Sequence, residues 1–473
     1  MTTVSIPPSA ATMAEHTPTK SKSTHSLADG TPELVNGAAS STHKVIVIGA
    51  GPVGLFLTYL LAKQGIHVDV VERFDGISKE HRAAGYYGGG VFALKDAGLL
   101  HLAAKRGHVA EALGWRAPAV DDGKGGKTFG RLLCAIPFAG TEEHPELGML
   151  LFPQTKLCEL LEEQIIALGQ NRVAFHFGAE ICGIDQLGNG DAVTAAIRDM
   201  KTGVTRDLTG NILVGADGGK SATRSLLGIS LQGHTWPERL IAVDVNYAIE
   251  EELPKVLPHH VVDPIWWATM IPLERPVQGK PSIWRFCMAI DPLDQSPVEV
   301  LLSENYLANM IERHMVGKRP LKYEVTHKAA YKIHQRLANK MAVGRCVLIG
   351  DAAHLNNPMG ALGLCTGLLD AEALAETLQM IFHDKKTISI LEAYSHERRR
   401  VFQMFVDPTS KANKLRLQQS PEYADDDWMV RTLQNPTPEV MKEFFSPYMA
   451  SWRSDMRAVV AKKEKVDADK ARQ

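Results

Sequence analysis

The segment Lys44–Glu72 confines this chain more tightly than any other. Lys44-Val45-Ile46-Val47-Ile48 is a short, almost unbroken apolar run of the kind expected in a parallel strand buried on both faces. Gly49-Ala50-Gly51-Pro52-Val53-Gly54 follows it. Gly49 permits a tight turn, Gly51 lets a pyrophosphate approach the backbone, and Gly54 lets the next helix pack closely on the strand. That helix is predicted from Pro52 to about Lys63, with Leu55, Tyr59 and Ala62 on one face and Gly65 as its stop. Its first N–H groups face phosphate. A second apolar strand, His67 to Val71, ends in Glu72, 23 residues beyond Gly49, where a carboxylate can hold the ribose hydroxyls of an adenosine. The unit specifies an adenine dinucleotide and leaves NAD, NADP and FAD open.

A later segment decides between them. Cys346-Val347-Leu348-Ile349 reads as another buried strand, with Gly350-Asp351 at its carboxyl end, where open α/β sheets bind ligands. A carboxylate there can accept hydrogen bonds from the polyol chain that FAD has and NAD lacks. Pro358-Met359-Gly360-Ala361-Leu362-Gly363 then leads into a helix predicted from about Leu364 to Phe382. Its N-terminus would face the pyrimidine edge of a flavin, where the reduced form concentrates negative charge. His354 is expected to organise the intervening loop. A middle segment, Ile212-Leu213-Val214 followed by Gly215-Ala216-Asp217-Gly218 and running on to Ser221 and Arg224, repeats the strand-then-acid pattern. Alone it reads as a surface turn capped by Asp217 and Ser221. Its place between the other two assigns it to the same FAD site.

At 473 residues and 45% hydrophobic, the chain can bury a large core in two to three domains. A net charge of −2 gives no electrostatic case for a nucleic-acid partner. Six cysteines form no Cys-x-x-Cys pair and no metal spacing, which points to a reducing compartment, the cytoplasm, and to no metal site. Residues 1–42, rich in Ser, Thr, Ala and Pro, are expected to be a disordered arm. Glu15, Asp29, Glu33 and the absence of Arg there argue against a transit peptide. No transmembrane segment is expected.

The motifs divide the chain. Residues 43–230 are expected to supply the first part of a Rossmann-like FAD domain, including a helix from Gln154 to Leu168. Within it, a small antiparallel excursion is built from alternating runs at Val173-Ile184 and Ala192-Arg198. Residues 231–333 read as an inserted mixed β-sheet that binds substrate, with strands at Leu240-Ala248, Ile265-Leu273 and Ser282-Ile290 and a helix near Val298-Met315. Residues 334–406 return to the FAD domain. The C-terminal extension, 407–473, has loop-like Pro408, Pro421, Pro436 and Pro438 and helical segments, with a packing or homodimer role as the plain expectation.

The three glycine segments, in this order, resemble the flavin-binding set of the single-component (class A) FAD-dependent aromatic monooxygenases, the p-hydroxybenzoate and phenol hydroxylase type. The resemblance covers roughly Lys44 to Val406. It extends to Arg82-Ala83-Ala84-Gly85, which matches an arginine-containing stretch that contacts FAD, and to Gln154, at a place where members put Gln or Arg on the cofactor. His81 stands where many members have Pro, and Tyr86-Tyr87-Gly88-Gly89-Gly90 is an unusual continuation. The cofactor-binding set implied is Gly49, Gly51, Gly54, Glu72, Arg73, Arg82, Gly85, Gln154, Asp217, Asp351, Pro358, Gly360, Gly363 and Leu364.

The resemblance implies that NADPH or NADH reduces FAD and that O2, carried as a flavin C4a-hydroperoxide, hydroxylates a phenolic or other electron-rich aromatic small molecule, in the setting of secondary metabolism. Tyr86 and Arg224 are the candidate catalytic residues, with Tyr87 as a second substrate contact and His81 and His234 as candidate proton acceptors. Lys220 and Arg224 are candidates for the nicotinamide phosphates. Trp266, Trp267, Met270, Trp284 and Phe286 form either an apolar slot for a planar substrate or the core between sheet and helices. The rival readings are a flavin epoxidase or halogenase and a flavin dehydrogenase. Trp266-Trp267-Ala268-Thr269-Met270-Ile271-Pro272 keeps the Ile-Pro of the halogenase stretch but not its tryptophan spacing.

Overall fold

In the computed structural model, which describes residues 43–169, 171–186, 190–250 and 252–472, two large sheets carry the architecture. The expected arm at 1–42 lies outside the described residues. The first sheet has six strands in the order Val173–Phe177, His67–Glu72, Lys44–Ile48, Ile212–Gly215, Cys346–Leu348 and Ala342–Val343. All its neighbours run parallel except the last pair. The apolar run at the amino end is thus a central strand, and alternation divides its side chains between two cores. Val45 and Val47 pack with the helices Pro52–Lys63, Gln154–Ala167 and Leu362–Phe382, whereas Ile46 and Ile48 pack against a three-stranded antiparallel sheet.

That small sheet comprises Ala179–Asp185, Val193–Asp199 and Thr205–Gly210. The run Val173-Ile184 is therefore not one strand of the excursion. Gly178, at φ +67°, breaks it, so Val173–Phe177 joins the edge of the parallel sheet instead.

The second sheet has eight strands, in the order His354–Leu355, Glu324–Ala338, Leu231–Ala248, Pro281–Ala289, Ala268–Pro272, His259–Val261, Ala112–Arg116 and Leu132–Pro137. It draws on more of the chain than 231–333. Ala112–Arg116 pairs in parallel with His259–Val261, and Glu324–Ala338 runs past residue 333. Both pairings join segments far apart in sequence and leave no local signature. The helix expected at Val298-Met315 is two, Val298–Leu301 and Glu304–His314, because Ser303 interrupts it and caps the second through Tyr306 N–H. One face of this sheet, with Val243, Met270, Trp284 and Phe286, packs on Leu307, Met310 and Ile311 of that helix.

Ile390–Val401 continues through a π turn, Phe402–Val406, into Asp407–Leu417. Pro408, read as a loop signal, stands instead in the first turn after the π turn, where the bonding register shifts and its missing N–H is tolerated. The helices Trp428–Gln434, Pro438–Trp452 and Met456–Ala471 follow.

One buried carboxylate ties these parts together. Asp370, fully buried, accepts from Gly350 N–H at 3.1 Å and Arg398 Nε at 2.7 Å, and lies 2.6 Å from His354 Nε2. Arg398 in turn donates to Trp452 O and Ser454 Oγ, each at 3.0 Å. Burial alone would raise the Asp370 carboxyl, but the charges and hydrogen bonds of His354 and Arg398 outweigh it and hold its pKa below the ordinary value. Its contribution to stability is accordingly present above the unfolded-chain value of about 3.9 and is lost as pH falls through the lower, folded value. Asp370→Asn leaves Arg398 buried without its counter-charge. Urea unfolding at pH 7 should show a loss of about 3–5 kcal/mol, and a weaker loss of stability below pH ~4 than in the wild type.

Candidate functional site

All three glycine segments meet at the carboxyl ends of the parallel strands. Gly49 takes φ +111°, and a Cβ there would stand 2.5 Å from Ala216 O, so the first and middle segments are packed backbone to backbone. A Cβ on Gly54 would stand 2.1 Å from Gly49 O, the close helix-strand contact that only glycine permits. Around Gly51 a Cβ would meet nothing within 4 Å, and no side chain caps the helix that begins at Pro52. Unobstructed backbone before an uncapped helix N-terminus fits a pyrophosphate. Glu72 ends the adjacent strand and accepts from Ala50 N–H at 2.8 Å and Phe74 N–H at 3.1 Å, which fixes its carboxylate beside the glycine turn. Arg73 stacks over Phe74 at 4.7 Å on the exposed side.

Asp217 behaves as a turn cap. It accepts from Ser221 Oγ at 2.5 Å and from Thr223 N–H at 2.9 Å. Arg224, a candidate catalytic residue on sequence grounds, is committed otherwise: its guanidinium donates to Ala352 O and Gly219 O, each at 3.0 Å, and so ties the middle segment to the third. Lys220 is exposed.

Gly350, at φ +58°, opens the short turn that carries Asp351, whose side chain is 41% exposed. Arg82 Nη1 lies 3.5 Å from Asp351 Oδ2, which brings the Arg82–Gly85 stretch onto the third segment. The same stretch is held from three sides. Gln154 N–H donates to Ala83 O, Gly85 pairs with Leu151, and Arg285 donates to Arg82 O. Arg285 forms a buried bidentate pair with Asp244 at 2.7 Å, and Asp244 Oδ2 lies 3.2 Å from His81 Nδ1, whose ring stacks on His327. His81 thus serves this junction, and His234 packs against Trp236. The helix carrying Gly363 and Leu364 in its first turn starts at Leu362, two residues before the expected Leu364.

Beside Pro358 and Gly360 lies an apolar pocket. The second sheet contributes Trp115, Ile136, His260, Thr269 and Ile271; Tyr87, Phe138 and Met149 form another side; Asn413, Met429, Phe444 and Phe445 come from the C-terminal helices. Tyr86 is not in it. The sequence offered Tyr86 as catalytic, but its side chain is fully buried in the main core, facing Cys158 and Cys365, and burial pushes its hydroxyl pKa well up. Alternation sends the next residue the other way: Tyr87 reaches the pocket and donates to Gly360 O at 2.6 Å.

The tryptophan-rich strands resolve as core. Met270, Trp284 and Phe286 face the helix Glu304–His314, Trp267 packs in a separate core beside Leu417 and Met429, and Trp266 lies under Arg313. Their alternating neighbours Thr269 and Ile271 are the residues that line the pocket.

His260 went unnoticed in the sequence, because its place depends on the non-local pairing of its strand with Ala112–Arg116. Its Nδ1 lies 2.7 Å from Thr269 Oγ1, which also lies 3.4 Å from Met359 Sδ. Burial, helped by the charge of Arg416, pushes its pKa down to about 4, so the ring is uncharged near neutrality. Among the described residues no group of three His, Cys, Asp or Glu could hold a metal ion, and no helix is long and apolar enough to cross a membrane.

The two glycines separate fold from cofactor. Gly51→Ala, with open space at its Cβ, should leave thermal unfolding within about 0.5 kcal/mol of wild type. By crowding the pyrophosphate it should weaken FAD binding by roughly 1–3 kcal/mol, read by flavin fluorescence titration. Gly54→Ala, which collides with Gly49 O, should lower stability itself by at least a similar amount.

Comparison with known proteins agrees with this geometry. The FAD binding domain family matches residues 42–409. Para-nitrophenol 4-monooxygenase of Pseudomonas sp. (strain WBC-3) is 32% identical over 372 residues, spanning 78% of this chain and 86% of that protein. The 6-hydroxy-3-succinoylpyridine 3-monooxygenase HspB of Pseudomonas putida is 30% identical over 395 residues, spanning 83% and 94%. Among solved structures, p-nitrophenol 4-monooxygenase PnpA from Pseudomonas putida DLL-E4 superposes with a TM-score of 0.73 at 30% identity, covering 87% of this chain and all of that one. The chain belongs to the class A FAD-dependent aromatic monooxygenases, enzymes that take FAD as cofactor and consume NAD(P)H and O2.

Proposed function

We propose that this monooxygenase hydroxylates a small, uncharged phenol that lies in the apolar pocket with its hydroxyl on His260. One observation carries the reading: among the described residues the pocket lining includes no acidic, lysine or arginine side chain, and it presents a histidine kept neutral by burial. A carboxylated ring would bury an unpaired charge there, at a cost of several kcal/mol. The relatives named for p-nitrophenol support a one-ring phenol without a carboxylate.

When bound, FAD supplies hydride acceptance from NAD(P)H and activation of O2. In this reading Gly51, Glu72 and Asp351 hold it, Arg82 and Gln154 support it, and the strands around the six-stranded sheet form its domain. The eight-stranded sheet, including 112–137, forms the substrate side. With His260 Nδ1–H donated to Thr269 Oγ1 and the threonine proton turned to Met359 Sδ, Nε2 keeps its lone pair for the substrate O–H. By accepting the substrate O–H as a hydrogen bond, Nε2 shifts electron density toward the phenol oxygen and so enriches the ortho and para carbons for oxygen transfer, with no charge formed on the buried ring. The apolar walls exclude water meanwhile. Unpaired cysteines support a cytoplasmic location, and exposed Tyr423 and Trp428 support a homodimer contact through the C-terminal segment.

Phenols that are neutral near pH 7, such as phenol and 4-methylphenol, should stimulate NAD(P)H oxidation and yield product labelled from 18O2, whereas 4-hydroxybenzoate should not. A preference for the carboxylate, or product without label, would sink the proposal. His260→Leu should lower kcat by about 100-fold or more with FAD affinity unchanged. Because His260 gains its proton only near pH 4, wild-type kcat/KM should show no acid limb from this group between pH 7 and about pH 5.

A further inference from the structure

The pocket is smaller than the ring it would have to hold. Its cavity is about 70 Å³, whereas a dry apolar cavity of about 150 Å³ is what accommodates benzene. Some wall must therefore yield, and the walls differ in what yielding would cost. Thr269, Ile271 and His260 sit on paired strands of the eight-stranded sheet, so moving them breaks ladder hydrogen bonds. Tyr87 is pinned to Gly360 O at 2.6 Å. The side formed by Phe444 and Phe445 is different, because their packing on the pocket side is apolar and belongs to no strand ladder. Phe445 meets Phe138 at a centroid distance of 6.3 Å, and Met441, Phe444 and Phe445 pack half-buried on the neighbouring core. Such contacts can part without orphaning a polar group.

The two ends of that helix are unequal. At its far end Trp452 is fully buried, donates from Nε1 to Thr366 Oγ1 at 2.9 Å, and accepts from Arg398. At its near end the linker is exposed throughout 434–439, and the cap from Thr437 to Val440 N–H is long, at 3.3 Å. The match to the FAD binding domain family stops at residue 409, so this wall belongs to a part of the chain outside the matched region.

We infer that the helix Pro438–Trp452 is the specificity-determining wall of the pocket: it pivots at its fixed Trp452 end to admit the ring, and Phe444 and Phe445 set the size of ring accepted. The inference rests on the phenol-binding reading of this pocket.

The test uses the FAD-loaded enzyme and measures Kd, by quenching of protein fluorescence, for 4-nitrophenol as a one-ring probe and 2-naphthol and 4-phenylphenol as two-ring probes. In Phe444→Ala and Phe445→Ala the Kd ratio of two-ring to one-ring phenol should fall by about tenfold or more. In Phe445→Trp it should rise. In the wild type, amide hydrogen exchange across 438–446 should slow when 4-nitrophenol is saturating. Equal shifts for one- and two-ring probes, or exchange in 438–446 indifferent to the probe, would overturn the inference. If the alanine variants fail to fold, Phe445→Leu and the wild-type exchange experiment decide it. Because these readouts are binding and exchange, they stand apart from NAD(P)H oxidation: an enzyme that binds phenols without oxidising NAD(P)H sinks the hydroxylase reading and leaves this one to its own result.

Discussion

The charge on Asp370 is the point on which the cofactor side and the substrate side of this enzyme both depend. A carboxylate with no exposed surface is tolerated only if its lone pairs are filled and its charge is opposed. Here the fillers are informative. Gly350 N–H belongs to the turn that presents Asp351, His354 belongs to the loop leading to Pro358 and Gly360, and Arg398 reaches on to the carbonyl of Trp452. The need to satisfy one buried group therefore fixes the turn bearing the polyol-binding candidate, the strip beside the pocket and the anchored end of the C-terminal helix. Every one of these contacts is long-range in sequence, and none touches the proposed substrate.

A second buried pair does similar work from the opposite sheet. Asp244 and Arg285 stand side by side on adjacent strands, and Arg285 also donates to the carbonyl of Arg82, whose own side chain meets Asp351. The Arg82–Gly85 stretch is consequently held at its backbone by Leu151, Phe152, Gln154 and the Arg285 side chain, while its guanidinium stays 61% exposed. Rigid backbone with an exposed side chain, paired here with Glu80 and Asp351, suits a segment that must meet a charged cofactor without moving the strands behind it.

How much of this was legible in the sequence follows from the range of the interactions. The 44–72 unit was readable nearly to the residue, because its strand, glycine turn, helix and acid are specified by neighbours: the helix spans Pro52–Lys63 and the strand ends on Glu72. The helices at Gln154 and after Gly363 were readable for the same reason. The small excursion was half readable, since alternation alone could not show that Gly178 breaks one run into strands of two sheets. The pocket was scarcely readable. Hydrophobicity drew attention to Trp284 and Phe286, yet the large apolar side chains face the core, and the residues that line the pocket are the modest ones on the neighbouring strand, Thr269 and Ile271. The choice of Tyr86 over Tyr87 failed on a period of two, where one residue of register exchanges core for pocket.

The C-terminal segment extends that lesson. Read alone, 407–473 showed prolines and amphipathic helices without a motif, and a packing role was the natural conclusion. Packing is indeed what Met429, Phe444 and Phe445 do, but the same side chains also line the pocket beside Gly360. Apolar side chains that close a site carry no chemical signature, because their contribution is shape and the exclusion of water. A site of this kind leaves its cofactor in the sequence as glycines and acids at fixed spacing. Its substrate is recorded only in which ordinary hydrophobic residues the fold brings together.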